Sequence, residues 1–253
     1  MIPFFDLSGQ NALVTGGGSG LGFAIAKAFA TVGASVVLVG RNEERLTDAS
    51  ARIRDLSADS TYIVCDLLES GAVASLVERA ESDRPIDILV NNAGTQYRAP
   101  VTEFRAAEWE RIIATHLSAP FFLAQATIKK MLARGRGKII NTLSITSELG
   151  RPTIVPYTAA KGGLKMLTRG LAVEVAALNI QVNGIAPGYF RTDMNQALTN
   201  DPKFDAWIKQ RTPARRWGEP EEIGGAAVFL ASSASDFVTG QVITVDGGLT
   251  AAV

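Results

Sequence analysis

Tyr157 and Lys161 are the residues whose types and spacing most directly suggest chemistry. They are four positions apart in a segment predicted to be helical, so a phenol and an ammonium lie on one face, a turn apart. A free phenol titrates near ~10 and is a poor base at neutral pH, but a neighbouring cation lowers its pKa. Ser144 lies upstream at the end of a predicted strand, where its hydroxyl can hold a substrate oxygen. The Tyr-x-x-x-Lys spacing alone is a frequent accident, so its meaning depends on the rest of the chain.

A glycine-rich turn, Thr15–Gly22, follows the first predicted strand and opens the first predicted helix. Glycine lets the backbone turn sharply and approach a pyrophosphate, whose charge then rests on the helix N-terminus. Such a cluster can also serve only as a tight connection, but this strand–turn–helix context is the one that dinucleotide binding requires. The residues expected to contact a dinucleotide here are Gly16, Gly18, Ser19, Gly20, Leu21 and Gly22. A bound oxidised nicotinamide would add a second positive charge that favours the phenolate.

The end of the second predicted strand indicates which dinucleotide binds. An NAD-binding fold usually carries an acid about 20 residues beyond the glycine turn, but Gly40 and then Arg41 stand at that place. A guanidinium can pair with a 2′-phosphate, and no carboxylate is there to repel it. Arg41 could instead be an exposed charge at a strand end. The sequence therefore favours NADP, with NAD also possible.

Two further strand ends carry candidate cofactor contacts. Asp66 and Leu67 follow the third strand, where a side chain can reach the adenine. Asn91–Gly94 follows the fourth, and its small residues let Asn92, Ala93 and Gly94 approach a ribose. A purely structural role for these four residues is equally consistent with their chemistry.

The elements that must position these residues alternate along the whole chain. The predicted strands are Ala12–Thr15, Ser35–Val39, Thr61–Val64, Ile86–Asn91, Gly137–Thr142, Ile180–Ile185 and Val242–Val245. The clearest helices between them are Leu21–Thr31, Glu43–Leu56, Ser70–Ala80 and Ala159–Ala177. Apolar strands that alternate with amphipathic helices predict an α/β fold, in which a doubly wound parallel sheet is covered on both faces.

Composition restricts the remaining classes of function. The 253 residues carry no net charge and no basic run, which argues against nucleic-acid binding. Cys65 is the only cysteine and His116 the only histidine, so a disulfide framework or a Cys/His zinc site is not expected. No metal is expected. No signal peptide and no membrane-spanning stretch is predicted, which favours a cytoplasmic protein.

Residues 188–217 break the alternation of strands and helices. This segment is polar and contains Pro202 and Pro213. An insertion of this length is more often a lid or a binding loop than a simple connection, although a helical pair that only covers the core is the alternative.

Taken together, these motifs resemble the short-chain dehydrogenase/reductase family across nearly the whole chain. The resemblance rests on Thr15–Gly22, Asn91–Gly94, Ser144, Tyr157 with Lys161, and Pro187 with Gly188. It implies one catalytic domain over residues 1–253 with a seven-stranded Rossmann-type sheet, usually in a homotetramer. It implies Tyr157 as the acid/base, Lys161 lowering its pKa and binding the nicotinamide ribose, and Ser144 polarising the carbonyl or alcohol. Pro187, Gly188 and Thr192 would line the nicotinamide side, and residues 188–217 would form the substrate lid.

His116 departs from the family pattern. The family normally carries an asparagine at this position, where it supports a water in the proton relay. Neutral imidazole can both donate and accept a hydrogen bond, so the relay could persist in altered form. A satisfied structural histidine is the equally weighted alternative.

The closest resemblance is to the gluconate 5-dehydrogenase branch, which interconverts D-gluconate and 5-keto-D-gluconate with NADP(H) or NAD(H). The matching segments are residues 147–151, 165–170, 184–190 and 211–218. A polyhydroxy acid needs a cation and several hydrogen-bonding groups, and the candidates are Gln96, Arg98, Glu148 and Arg151, together with Ser144 and Tyr157. Arg98 or Arg151 would take the carboxylate, unless they are surface or inter-subunit charges. The alternatives are a 2-dehydro-3-deoxygluconate 5-dehydrogenase, a 3-oxoacyl thioester reductase and a non-enzymatic NADP-binding sensor or scaffold.

Overall fold

Seven parallel strands form one sheet in a computed structural model that describes residues 3–56 and 58–253. The strands are β1 (Asn11–Thr15), β2 (Ser35–Gly40), β3 (Ser60–Val64), β4 (Ile88–Asn91), β5 (Gly137–Thr142), β6 (Ile180–Pro187) and β7 (Val242–Val245). Their order across the sheet is β3-β2-β1-β4-β5-β6-β7. The predicted doubly wound α/β sheet is confirmed, with two strand ends shifted by two residues: β4 begins at Ile88 and β6 continues to Pro187.

Helices cover both faces of this sheet. They are α1 (Gly20–Thr31), α2 (Glu43–Arg54), α3 (Ala72–Ala80), α4 (Ala106–Ile113), α5 (Ala119–Leu132), α6 (Val155–Val175), α7 (Gln196–Thr199), α8 (Pro202–Arg211) and α9 (Gly224–Ala231). A π-helical turn, Ala114–Ser118, joins α4 to α5. In the described ranges 3–56 and 58–253, no helix has the length and apolarity needed to cross a membrane.

The helix α6 begins earlier than its sequence pattern predicted. The expected start was Ala159, but the helix starts at Val155 with Pro156 in its first turn. Proline is tolerated there because the first backbone N–H groups of a helix have no intrahelical partner. Tyr157 therefore lies within the first turn of α6, and the helix backbone fixes its direction relative to Lys161.

Two hydrophobic layers hold the sheet between its helices. Along β1, Ala12 and Val14 belong to the layer under α1 and α9, whereas Leu13 belongs to the layer under α3, α5 and α6. This division follows from the alternation of side chains along a strand. Because β1 is buried on both faces, only its carboxyl end is free to contribute to a site.

The strand order reverses between β1 and β4. The chain passes from β1 to β2 and β3 on one side, then returns to build β4 through β7 on the other. In such sheets a crevice forms at the carboxyl ends of the strands where the order reverses, and ligands bind in it. The turn after β1 and the residues after β4 meet at this point, so the fold brings the predicted cofactor motifs together.

Candidate active site

Ser144, Tyr157 and Lys161 converge where β5 ends and α6 begins. Lys161 donates a hydrogen bond from Nζ to the carbonyl oxygen of Thr142 at 2.5 Å, and this bond ties α6 to the end of β5. The same Nζ lies 5.6 Å from the centre of the Tyr157 ring. Ser144 lies two residues after the end of β5, and its Oγ accepts a hydrogen bond from the backbone N–H of Thr146 at 3.1 Å. The structure thus assembles the three residues that the sequence selected.

Burial shifts the pKa values of this cluster away from one another. Desolvation raises the pKa of Tyr157 to about 12, while the Ser144 hydroxyl and the charge of Arg98 act in the opposite direction. Desolvation also lowers the pKa of Lys161 to about 7. In the protein alone, the cost of burying the charged phenolate dominates the pKa of Tyr157. A further positive charge in the cavity, such as an oxidised nicotinamide carries, would favour the phenolate.

His116 lies in the π-helical turn and is 2% exposed. Its ring meets the Tyr157 ring edge-on, with the centroids 4.9 Å apart. Its Nε2 lies 3.1 Å from the backbone nitrogen of Thr95 and 2.8 Å from the Thr95 carbonyl oxygen. Burial, followed by the charge of Lys161, lowers the pKa of His116 to about 3, so the imidazole is neutral at physiological pH. Among the described residues, its Nδ1 has no hydrogen-bond partner.

One cavity of about 260 Å³ connects the glycine turn to this cluster. It is lined by sixteen of the residues singled out from the sequence: Gly16, Ser19, Gly20, Leu21, Asn92, Gly94, Gln96, Arg98, His116, Ser144, Arg151, Tyr157, Lys161, Pro187, Gly188 and Thr192. A second cavity of about 140 Å³ continues from Gly16 and Gly94 to Arg41, Asp66, Leu67 and Ala93. Together the two cavities form an elongated cleft with the glycine turn at its middle.

The glycine turn fits a bound dinucleotide. Gly16 and Gly20 have φ of +66° and +54°, a backbone conformation that favours glycine. A Cβ on Gly22 would lie 2.2 Å from the carbonyl oxygen of Gly16, so a side chain there would open the turn. Ser19, at the N-cap of α1, makes no side-chain capping bond within the described ranges. The turn therefore leaves backbone N–H groups available to an anion. Gly18 packs under α2, near Arg45 and Leu46, and supports the turn without lining either cavity.

Thr15 organises the meeting of β1 with β4 and was not singled out from the sequence. Its hydroxyl accepts the backbone N–H groups of Asn92 and Ala93 at 2.9 and 3.0 Å and donates to the carbonyl of Val90 at 3.1 Å. Asn92 returns a hydrogen bond from Nδ2 to the Thr15 carbonyl at 3.1 Å. Asn92 thus ties the strand ends together while also lining the cavity, so its structural and binding roles coexist. The signal in the sequence that could have identified Thr15 is a residue with a hydroxyl group at the end of β1.

Arg41 and Asp66 face each other at the far end of the cleft. The guanidinium of Arg41 lies 3.7 Å from the Asp66 carboxylate, and its side chain is 70% exposed. An ion pair this loose and this exposed contributes little to stability. Arg41 can therefore exchange this contact for a stronger one with a phosphate.

Glu148 is the predicted substrate residue that the structure does not bring into the cavity. Its carboxylate pairs with Lys165 on α6, and its side chain is 54% exposed. The one-turn helix Ile145–Ser147 after β5 turns the chain outward at this point. Gln96, Arg98 and Arg151, in contrast, line the cavity beside Ser144 and Tyr157.

The insertion at 188–217 carries an aromatic cluster, and its first residues line the cavity. Tyr189 lies at its centre and meets Phe204, Trp207 and Trp217 with ring centroids 5.6, 6.2 and 5.7 Å away. The guanidinium of Arg151 lies 4.7 Å from the centre of the Phe204 ring. Tyr189 lines the cavity and was missed as a site residue, although it directly follows the Pro187 and Gly188 pair.

Within residues 3–56 and 58–253, no group of three or more His, Cys, Asp or Glu side chains lies together in a way that could hold a metal ion.

Comparisons with known proteins agree with this architecture. A family model described as enoyl-(acyl carrier protein) reductase matches residues 16–250. The chain is 49% identical to a gluconate 5-dehydrogenase of Gluconobacter oxydans, over 97% of this chain and 96% of that protein. It is 47% identical to a 5-keto-D-gluconate 5-reductase of Escherichia coli over the full length of both. It superposes with a TM-score of 0.95 on a gluconate 5-dehydrogenase of Burkholderia cenocepacia crystallised with NADP and tartrate, at 48% identity and 99% coverage of each chain.

Proposed function

The chain belongs to the short-chain dehydrogenase/reductase family and is an NAD(P)-dependent dehydrogenase acting on CH–OH groups, and we propose that it interconverts D-gluconate and 5-keto-D-gluconate with NADP(H). One observation carries the choice of substrate. Two guanidinium groups, Arg98 and Arg151, line the same cavity as Ser144 and Tyr157. A sugar acid presents both the hydroxyl that is oxidised and the carboxylate that such cations bind.

Ser144 and Tyr157 would act on the substrate oxygen. In the reductive direction the Ser144 hydroxyl holds the carbonyl oxygen, and the Tyr157 phenol gives its proton to that oxygen. Nicotinamide, when bound, supplies or accepts the hydride. The phenol is protonated over the physiological range, because burial raises its pKa to about 12, and so it is prepared to act as the acid. Lys161, held by the Thr142 carbonyl, keeps a donor beside the phenol and the cofactor ribose.

The proton route behind Tyr157 would include His116. Its neutral imidazole lies against the phenol ring and has a buried Nδ1 that no described residue satisfies. A water bonded there would have a donor or an acceptor at the place where the family carries an asparagine amide. We therefore expect a relay that works through hydrogen bonds of a neutral ring.

Preference for NADP is supported by the second cavity. Gly40 stands where an acid would repel a phosphate, and the exposed guanidinium of Arg41 lies at the edge of that cavity. The carboxylate of Asp66 is held near Arg41, in reach of an adenine, and Leu67 lies beside it. NAD remains the second cofactor to test.

Two other substrates belong in the same test. A 2-dehydro-3-deoxygluconate shares the carboxylate and would use the same arginines. A 3-oxoacyl thioester carries no carboxylate, so it would leave Arg98 and Arg151 in this cavity without an anionic partner. The family of dehydrogenases to which the chain belongs argues against the sensor or scaffold alternative, and so does the position of Ser144, Tyr157 and Lys161 in one cavity.

A substrate panel tests the proposal. NADPH oxidation is followed with 5-keto-D-gluconate, a 5-keto form of 2-keto-3-deoxygluconate, a 3-oxoacyl thioester and an unrelated cyclic ketone, and then repeated with NADH. We expect the largest kcat/KM for 5-keto-D-gluconate with NADPH. A larger value for the thioester, or none above the unrelated ketone, would refute the proposed substrate.

The lid, the cellular location and the assembly of the protein are further proposals. We propose that residues 188–217 act as the substrate lid of a single domain over 1–253, and that the protein works in the cytoplasm as a homotetramer. Three apolar side chains are 51 to 84% exposed: Phe122 on α5, and Met166 and Val173 on α6. Apolar side chains this exposed favour burial between subunits. Sedimentation analysis measures the number of subunits, and a monomer at micromolar concentration would contradict the assembly.

A further inference from the structure

The substrate end of the cavity carries more positive charge than one carboxylate can neutralise. Three cationic side chains line it: Arg98, Arg151 and Lys161. Asp193 is the only acidic side chain among the lining residues, and its carboxylate is already bound by Arg45 at 3.1 Å. Burial lowers the pKa of Lys161 to about 7, which leaves the two guanidinium groups as the permanent charges.

Neither guanidinium has an anionic partner. Within 3–56 and 58–253, no carboxylate lies within 4 Å of either group. Arg98 is only partly exposed, and its pKa is lowered first by burial and then by the charge of Arg151. Two like charges that act on each other, with part of the water around Arg98 removed, are unfavourable until anions neutralise them.

The two guanidinium groups occupy different places in the cavity. Arg98 lies close enough to Tyr157 for its charge to act on the phenol's pKa. Arg151 instead stacks on the insertion, 4.7 Å from the ring centre of Phe204 and 5.6 Å from that of Tyr189. Arg98 thus acts on the phenol of Tyr157, whereas Arg151 packs on aromatic rings of the insertion, and the charges of both act on Tyr189.

We propose that this cavity recognises sugar diacids, with one carboxylate on Arg98 beside the reacting carbon and the other on Arg151 beneath the lid. The inference rests on the proposed function for the position of the reacting oxygen at Ser144 and Tyr157. A monoacid such as gluconate satisfies one guanidinium and presents a neutral hydroxymethyl group to the other. A diacid of the same length satisfies both through charge-assisted hydrogen bonds.

D-Glucarate and D-gluconate form a matched pair for the test, because they differ only in a carboxylate or a hydroxymethyl group at C6. Their inhibition constants are measured against 5-keto-D-gluconate reduction by the NADPH-loaded enzyme. A second measurement follows the fluorescence of Trp207 and Trp217, which contact Tyr189, and gives dissociation constants without turnover. We expect glucarate to bind at least about tenfold more tightly than gluconate in both measurements.

Three variants assign the effect to residues. Arg98→Gln and Arg151→Gln should each reduce the preference for glucarate to near one, and Arg151→Lys should restore part of it. Arg105→Gln is the control, because Arg105 also stacks on an aromatic ring, that of Tyr97 at 5.3 Å, but lies outside the cavity. Thermal melts check that each variant is folded.

The outcomes separate this inference from the proposed function. Equal binding of glucarate and gluconate by an enzyme that reduces 5-keto-D-gluconate would overturn the diacid site alone. A preference for glucarate that survives both glutamine variants would also overturn it. If 5-keto-D-gluconate is not reduced but the fluorescence preference holds and depends on both arginines, the proposed substrate fails and the diacid site stands.

Discussion

The imidazole of His116 meets the phenol ring of Tyr157 edge-on, with 4.9 Å between ring centroids and 83° between ring planes. This contact joins the only histidine of the sequence to Tyr157, the proposed general acid. Ring-to-ring packing of this kind stabilises a buried pair, and it also fixes where the imidazole nitrogens point. His116 can therefore be structural and part of the proton route at once, and mutation can separate the two roles.

His116→Asn restores the family's residue and should leave the enzyme active with a changed pH profile of kcat. An amide can donate and accept like neutral imidazole, but it is smaller and loses the ring contact with Tyr157. The measurement is kcat from pH 5 to 10, with melting temperature as a check on the fold. If kcat and its pH dependence do not change, His116 is not part of the relay.

Tyr157→Phe should reduce turnover by a factor on the order of 10² to 10⁴, because it removes the general acid. Cofactor affinity should remain close to that of the wild type, since the ring and its packing stay in place. Initial rates and cofactor titration by fluorescence measure the two effects. Tyr62→Phe, on the edge strand β3, is the matched control and should behave like the wild type. Near-normal turnover of the Tyr157 variant would remove Tyr157 from the mechanism.

Arg41→Ala should raise the KM for NADPH by about 10- to 100-fold, because the variant loses the charge-assisted hydrogen bonds to the 2′-phosphate. The KM for NADH should change little, because NADH has no 2′-phosphate. The ratio of kcat/KM for the two cofactors is the readout and contains its own control. An unchanged ratio would show that Arg41 is only an exposed charge at the end of β2.

Lys161→Met should abolish most activity while stabilising the fold in a pH-dependent way. The buried ammonium has a folded-state pKa of about 7 against 10.5 when exposed, so the unfolded chain binds more protons between these values. Stability of the wild type therefore rises as pH increases from 7 towards 10.5, and the cost of the buried charge is fully present below 7. Methionine removes that cost, on the order of a few kcal/mol at pH 6.

Chemical denaturation at pH 6 and pH 10 tests this expectation. The free energy of unfolding of Lys161→Met should exceed that of the wild type most at pH 6, and the difference should be smaller at pH 10. The variant also loses the hydrogen bond to the Thr142 carbonyl. This loss lowers its free energy of unfolding by the same amount at pH 6 and at pH 10, so the dependence on pH is unchanged. A difference that does not depend on pH would show that Lys161 keeps its ordinary pKa in the fold.

Trp217→Phe should destabilise the protein by about 1 to 2 kcal/mol, because its indole N–H donates to the Asp205 carboxylate at 2.8 Å. Trp217 is 1% exposed, whereas Trp207 in the same cluster is 45% exposed. Trp207→Phe is the control and should change stability by less than about 0.5 kcal/mol. Equal effects in thermal melts would mean that the hydrogen bond of Trp217 contributes nothing to the insertion.

Local patterns were sufficient to predict the sheet and the cofactor turn. Strands buried on both faces are rich in apolar residues, and β4, with the sequence Ile-Leu-Val-Asn, is buried along its whole length. Part of the need for glycine arises within the turn itself: Gly16 has a φ of +66°, and a Cβ on Gly22 would meet the Gly16 carbonyl oxygen. Such requirements depend on neighbours in sequence, so a sequence displays them directly.

The electrostatics of the site depend on the tertiary structure. The spacing of Tyr157 and Lys161 indicates a cation beside the phenol, but it does not show that burial by the surrounding elements is the largest influence on the pKa of Tyr157. Desolvation depends on every element packed around a group, and spacing along one helix does not record it.

The sequence by itself determined the family and the sheet, and it predicted the candidate catalytic residues and the turn proposed to bind the cofactor. The tertiary structure decided which of the residues between Ser144 and Tyr157 face the cavity: Arg151 packs on Phe204 from the insertion, whereas Glu148 turns away to Lys165. These contacts join segments separated by up to about fifty residues, and they arise from packing that no local periodicity encodes.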